Sequence, residues 1–304
     1  MKNCLLFAGL WCLLLTNGLL AQTPEPKRAV TKPAAKPAAP RQVIEEAAAK
    51  LEPTRSVIYK KVGERELRLD IFEPAGHKSS DRRGCLIGIH GGGWTGGEPR
   101  RFYTFADHLA KQGMLCVSLQ YRLLDKAKTV TPFECVKDGR SAMRYLKAHA
   151  AELGIDPAKI AVAGGSAGGH VAAGTALFDG VDEATDDVSI SPVPAALVLY
   201  YPVIDTGPQG YGMGKCGSKW KEISPVDHVR AGVPPTILFH GTGDTVTPFA
   251  GAKRFDEAMR AAGNRCEFHV NDGGRHGYFL YDQTMYETTL RQTGEFFKSL
   301  KLLD

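Results

Sequence analysis

The chain is poor in the residue patterns that build metal or redox centres: its 7 cysteines in 304 residues include no CxxC pair and no Cys/His zinc spacing. No repeat recurs at a fixed period. Strong charge of one sign is also missing from the body of the chain. The formal +5 arises largely between residues 22 and 40, where Lys27, Arg28, Lys32 and Lys36 against Glu25 contribute 4 − 1 = +3. The remainder of the chain is nearly neutral, so the basic pI gives no argument for nucleic acid.

Only one long apolar run is present, from residue 4 to residue 20 behind Lys2, interrupted by Thr16, Asn17 and Gly18. It is short for a membrane span and ends at Ala21, a small residue suited to cleavage, although Leu19 is larger than the usual preference. The reading is a signal peptide over residues 1–21, a secreted or periplasmic protein, and no stable membrane insertion after cleavage. Ala, Pro and Lys dominate residues 22–40 and cannot bury apolar surface, so 22–50 is read as a linker. Cleavage removes Cys4 and Cys12 and leaves Cys85, Cys116, Cys135, Cys216 and Cys266, an odd number that permits a disulfide without demanding one.

Residues 51–304 form one catalytic-size domain. Two alternating segments, around Val57-Ile58-Tyr59 and from Leu67 to Phe72, read as an antiparallel pair. Short continuous apolar runs then follow at 85–89, 115–119, 160–163, 196–200 and 237–239, the texture of strands buried on both faces, and 266–270 is read as the last strand. Between them, Phe102/Phe105/Leu109, Val136/Met143/Leu146/Ala150, Ala252/Phe255/Met259 and Leu290/Thr293/Phe297 each fall on one helix face. Gly113, Gly154 and Gly263 stop three of those helices. Strands alternating with helices imply an α/β architecture: a doubly wound, mostly parallel sheet with helices on both faces.

Four loops carry chemistry. The strand at 160–163 runs into Gly164-Gly165-Ser166-Ala167-Gly168 and an Ala-rich helical stretch, the strand-turn-helix context in which a serine is presented as a nucleophile. The bland alternative is a tight turn whose serine caps a helix. Upstream, His90-Gly91-Gly92-Gly93-Trp94 ends another buried strand. Consecutive glycines let backbone N–H groups face a developing oxyanion, so Gly92, Gly93 and Ala167 are the candidate donors. Asp244 follows the strand at 237–239 and His276 follows the last strand. Chain order Ser166, Asp244, His276 fits a catalytic triad: imidazole as base, carboxylate orienting it. His90, His170 and His240 are read as structural. An insert at 205–227 is the candidate lid, and Tyr211 and Trp220 from it, with Trp94, are candidate substrate-binding residues. The acidic run Asp182, Glu183, Asp186 and Asp187 lacks calcium-loop spacing and is read as a solvated surface loop. Neither a metal nor a cofactor is expected.

Together these motifs, from about residue 66 to residue 300, resemble the esterase branch of the α/β hydrolases, near the hormone-sensitive-lipase-like and feruloyl- or acetylxylan-esterase-like proteins. The resemblance implies the α/β-hydrolase fold, serine-dependent carboxylic-ester cleavage and structural roles for 120–123 and Asp138. Gly165 departs from the Asp usual in hormone-sensitive-lipase-like members. The short lead before the first strand suggests an open site for small-molecule or polysaccharide-linked esters, short-chain, carbohydrate or phenolic. A prolyl-oligopeptidase-like peptidase would need a propeller domain for which the chain has no room, and a non-enzymatic binding module would show a broken triad. Oligomeric state stays open.

Overall fold

A computed structural model describes residues 42–304. The signal-peptide reading and most of the linker reading lie outside the described residues. Among the described residues eight strands form one sheet: β1 (Arg55–Val62), β2 (Arg65–Phe72), β3 (Arg83–Ile89), β4 (Leu115–Leu119), β5 (Ile155–Gly165), β6 (Ala196–Tyr200), β7 (Thr236–Gly241) and β8 (Cys266–Asn271). Their order is β1-β2-β4-β3-β5-β6-β7-β8. Only β1–β2 and β2–β4 pair antiparallel; from β4 to β8 every pair is parallel.

The pleat divides each strand between two cores, because successive side chains point to opposite faces. In β4, Leu115, Val117 and Leu119 face one core and Cys116 the other. One face is covered by α3 (Pro132–Ala148), α4 (Ala167–Leu177) and α6 (Phe249–Ala261) through Val136, Met143, Val171, Phe255 and Met259. The opposite face is covered by α2 (Tyr103–Ala110) and α7 (Gln283–Ser299) through Phe105, Leu109, Leu290 and Phe297. Local signals agree with these elements. Helix α3 starts on a capping box, Thr131 with Glu134, and has Pro132 in its first turn. All five cysteines among the described residues are buried and unpaired.

Two sequence readings need correction. The linker does not extend to residue 50: Ile44 is only 4% exposed, the Val43 N–H donates to Leu280 O at 2.8 Å, and Glu45–Ala49 is a helix, α1. Val43, Ile44 and Ala48 supply apolar surface that the Ala/Pro/Lys run lacks, and Arg100 fixes the exit by donating to Ala48 O and Leu51 O. Nor is most of the acidic run solvated: Asp187 is exposed, but the other three acids are paired. Asp182 pairs with Arg140 and Arg144, Asp186 with Arg144, and Glu183 with Lys60 and Arg122. Those basic residues come from β1, α3 and the segment after β4. Spacing along the chain cannot show them converging.

Candidate active site

Every loop singled out in the sequence leaves the C-terminal end of a parallel strand, where open α/β sheets bind ligands. Strand β5 delivers Ser166, its neighbour β3 delivers the Gly91–Gly93 turn, and β7 and β8 deliver Asp244 and His276. Ser166 has φ 55° and ψ −121°, a backbone conformation that costs a non-glycine residue on the order of 1–3 kcal/mol. Packing sustains it. The Ser166 N–H donates to Tyr200 O at 2.9 Å, and its carbonyl accepts from Val203 N. Small neighbours are obligatory: a Cβ at Gly164 would lie 2.3 Å from Gly168 O, and one at Gly168 would lie 2.2 Å from Ile89 O. Of the five non-glycine residues with positive φ among the described residues, Ser166 and Tyr201 line the cavity and Trp94 follows the glycine turn, so strain concentrates where function is expected.

Ser166 Oγ lies 3.0 Å from His276 Nε2, and His276 Nδ1 lies 2.7 Å from Asp244 Oδ2. A carboxylate only accepts, so Nδ1–H donates to Asp244 and Nε2 is left to take the serine proton. Asp244 is fixed from several sides. Its Oδ1 accepts from the N–H groups of Val246 and Thr247, and its Oδ2 from Thr247 Oγ1. Burial by itself would raise this carboxyl; hydrogen bonding from His240 and His276 outweighs it and holds the group far below the usual carboxylate range. Asp244 therefore stays ionised as the imidazole's partner. Asp244 is not the N-cap of α6, a position held by Pro248.

Neither Gly92 nor Gly93 donates its N–H to an acceptor among the described residues, and both border the cavity above Ser166. Gly92, at φ +119°, and Gly93, at +61°, hold that turn open. The Ala167 N–H opens α4, where first-turn donors have no intrahelical acceptor. This set of three is able to receive an oxyanion. Behind them His90 is buried, its Nδ1 against Gly91 O at 2.8 Å and its ring stacked on Tyr121. Burial pulls its pKa, and that of His170, down to about 4, so both rings are neutral and structural.

The cavity holding Ser166 and His276 measures about 270 Å³. Of the three aromatic residues expected to bind substrate, Tyr211 lines it; Trp94 and Trp220 do not. Trp94 is fully buried, edge-on to His170, its carbonyl accepting from Leu124 N, and the lid turn at Gly212 rests on its ring. It anchors the glycine loop to the insert. Trp220 is half-buried within the insert, its carbonyl accepting from Thr206. The insert contains a short helix, α5 (Met213–Cys216), whose Lys215 donates to Gly93 O and to the Tyr211 hydroxyl, both at 3.0 Å.

The sequence reading missed the cavity's inner wall: Ile44, Phe102, Phe105, Tyr200 and Leu280. Phe102 and Phe105 were visible only as a helix face, and nothing about Ile44 distinguishes it from a linker residue.

A hydrogen-bonded Ser–His–Asp line at the C-terminal edge of a mostly parallel, doubly covered sheet defines the chain as an α/β hydrolase. The comparisons with known proteins narrow this. The BD-FAE family model matches residues 69–205. Thermogutta terrifontis esterase 2, solved phosphoramylated by tabun, is 39% identical, covers 82% of this chain and 95% of its own, and superposes with a TM-score of 0.78. The Mycobacterium tuberculosis esterase LipQ is 26% identical over 66% of this chain and 51% of its own length. An acetylxylan esterase from Xylanibacter ruminicola is 25% identical over 71% of this chain and 45% of its own. The chain spans about half the length of the curated relatives it matches. It belongs to the α/β-hydrolase esterase family.

Proposed function

We propose that this protein is an exported esterase that hydrolyses short-chain carboxylic esters through an acyl-enzyme on Ser166. The observation that carries the reading is the 3.0 Å and 2.7 Å hydrogen-bonded line from Ser166 through His276 to Asp244, opening into the cavity. His276 Nε2 takes the Ser166 proton as Oγ attacks the acyl carbon, and the carbonyl electrons move onto oxygen, toward the N–H groups of Gly92, Gly93 and Ala167. Asp244 stabilises the imidazolium. The imidazolium returns its proton to the departing alkoxide, and water repeats the sequence to free the acid.

Two observations support a short acyl group. An apolar cavity of about 150 Å³ suffices for benzene. The cavity of about 270 Å³ must serve both halves of an ester, and Ile44 and Leu280 are part of its buried apolar lining. The related esterase 2 has been solved with propionate and with butyrate bound. A carbohydrate or phenolic alcohol suits the polar rim of Gln42, Arg101 and Tyr281, and an acetylxylan esterase stands among the relatives. Export rests on the apolar run at residues 4–20.

The test is purified protein on a series of p-nitrophenyl esters and on acetylated xylan, followed by intact and peptide mass after paraoxon, an agent that phosphorylates esterase 2. Turnover is expected to peak at about two to four acyl carbons and to fall beyond about eight, since longer chains gain only where methylenes are buried. The paraoxon adduct is expected on Ser166. An optimum at about twelve carbons or more, or an adduct elsewhere, overturns the reading.

A further inference from the structure

The catalytic cavity is lined by one cationic side chain, Arg101, and by no carboxylate among the described residues. Arg100 and Arg101 are adjacent in the short 3-10 turn Pro99–Phe102 but are used differently. Arg100 is committed to structure: it donates to Ala48 O and Leu51 O and pairs with Glu52. Phe102, on the other side, is buried against Gly88, so the turn is pinned at both ends. Arg101 is held between them, exposed, and lines the cavity. Its guanidinium makes no hydrogen bond or ion pair among the described residues.

Lys215 does not line the cavity but stands behind Tyr211, which does; its ammonium lies 5.0 Å over that ring and, among the described residues, is hydrogen-bonded to the Tyr211 hydroxyl and Gly93 O. None of the described residues lining the cavity is Asp or Glu. Asp244 lies behind His276 with no side-chain exposure, its oxygens taken by the bonds described above. A concave, partly apolar site focuses such a field, and a planar guanidinium matches a carboxylate with two parallel hydrogen bonds.

We propose that the substrate of this site bears a carboxylate besides the ester, and that Arg101 receives it, with Lys215 adding to the attraction. The inference rests on the esterase reading and names the substrate class within it. The carboxylate belongs either to the acyl half, as in a half-ester of a dicarboxylic acid, or to the alcohol half, as in an acidic phenol or sugar.

Two pairs of esters test it. Ethyl hydrogen succinate against ethyl butanoate places the charge on the acyl side; 3-acetoxybenzoate against 3-acetoxybenzamide places it on the alcohol side. The ratio of kcat/KM, anionic over neutral, is read within each protein, so any general loss in a variant cancels. For one pair the wild type is expected to favour the anion by about tenfold, the size of one good charge-assisted contact, and to lose that preference as salt rises. Arg101→Gln is expected to bring the ratio to about one, and Arg101→Lys to retain part of it. Wild-type ratios at or below one in both pairs, or an Arg101→Gln ratio equal to wild type, overturn the proposal. Hydrolysis of the neutral esters separates the outcomes: where they too are untouched, the esterase reading itself has failed.

Discussion

Two buried polar chains run through this domain, and they end differently. One joins Lys60, Asp138, Arg122 and Glu183, and continues beside them through Arg140, Arg144, Asp182 and Asp186. Each charge there meets an opposite charge, and fully buried Asp138 also accepts from the Arg122 N–H. The other runs from Thr247 and His240 through Asp244 and His276 to Ser166, where it stops at a cavity. A network with all its ends satisfied holds elements together. A network with one end left open to a cavity has a proton to move. A buried carboxylate, Asp138 in one network and Asp244 in the other, thus serves structure or chemistry according to whether the last group of its network has a protein partner.

The largest effect comes from removing that open end. Ser166→Ala is expected to lower kcat by at least about 1000-fold, because triad members act as a unit, while the melting temperature stays at the wild-type value. A folded variant keeping more than about a tenth of the rate would contradict the assignment.

Cutting the closed network reverses the pattern. Arg122→Ala leaves Asp138 and Glu183 facing Lys60 alone, and removing one partner of a buried pair costs about 3–5 kcal/mol. Urea unfolding reads that loss; kcat per active site, from titration with paraoxon, is expected to be unchanged. Acid sharpens the contrast. Burial raises the Glu183 carboxyl, but Lys60 and Arg122 outweigh it and bring it from 4.5 to about 2. The unfolded chain therefore binds this proton more tightly, so the stabilisation is present above about pH 4.5 and is lost as pH falls toward 2. Arg122→Ala is expected to unfold at higher pH than wild type. Equal acid midpoints would remove Glu183 from the network's account.

The smallest effect concerns the cavity wall. Ile44→Ala is expected to raise kcat/KM for hexanoyl and octanoyl over butanoyl esters, by up to about fourfold for each methylene newly accommodated. An unchanged chain-length profile would place the acyl group elsewhere in the cavity.

How much is legible in the sequence depends on the range of each signal. Ser166, Asp244 and His276 could be found because each follows a strand pattern and the fold constrains their order. Gly164 and Gly168 were legible for the same reason, since the turn that presents Ser166 tolerates nothing larger there. Arg122 and Asp138 were marked as structural through family resemblance alone, and their bidentate contact bears that out. Readings failed where the partner is distant in the chain. Asp182 seemed solvated because Arg140 lies 42 residues away. Trp94 seemed a pocket residue because an aromatic beside glycines looks presented, whereas Leu124 and His170 draw it inward. Ile44 looked like linker because the partner that holds its segment, Leu280, which accepts from the Val43 N–H, is far away in the chain.

The bond from Val43 N–H to Leu280 O ties the start of the described chain to the turn that follows His276. Residues 42–51 thus supply part of the cavity wall, through Gln42 and Ile44, and carry none of the candidate reacting groups. A cut by a protease in that stretch would leave the triad whole and yet release one wall of the pocket. Replacing the same ten residues is expected to change what the cavity accepts without disturbing the sheet that carries the triad.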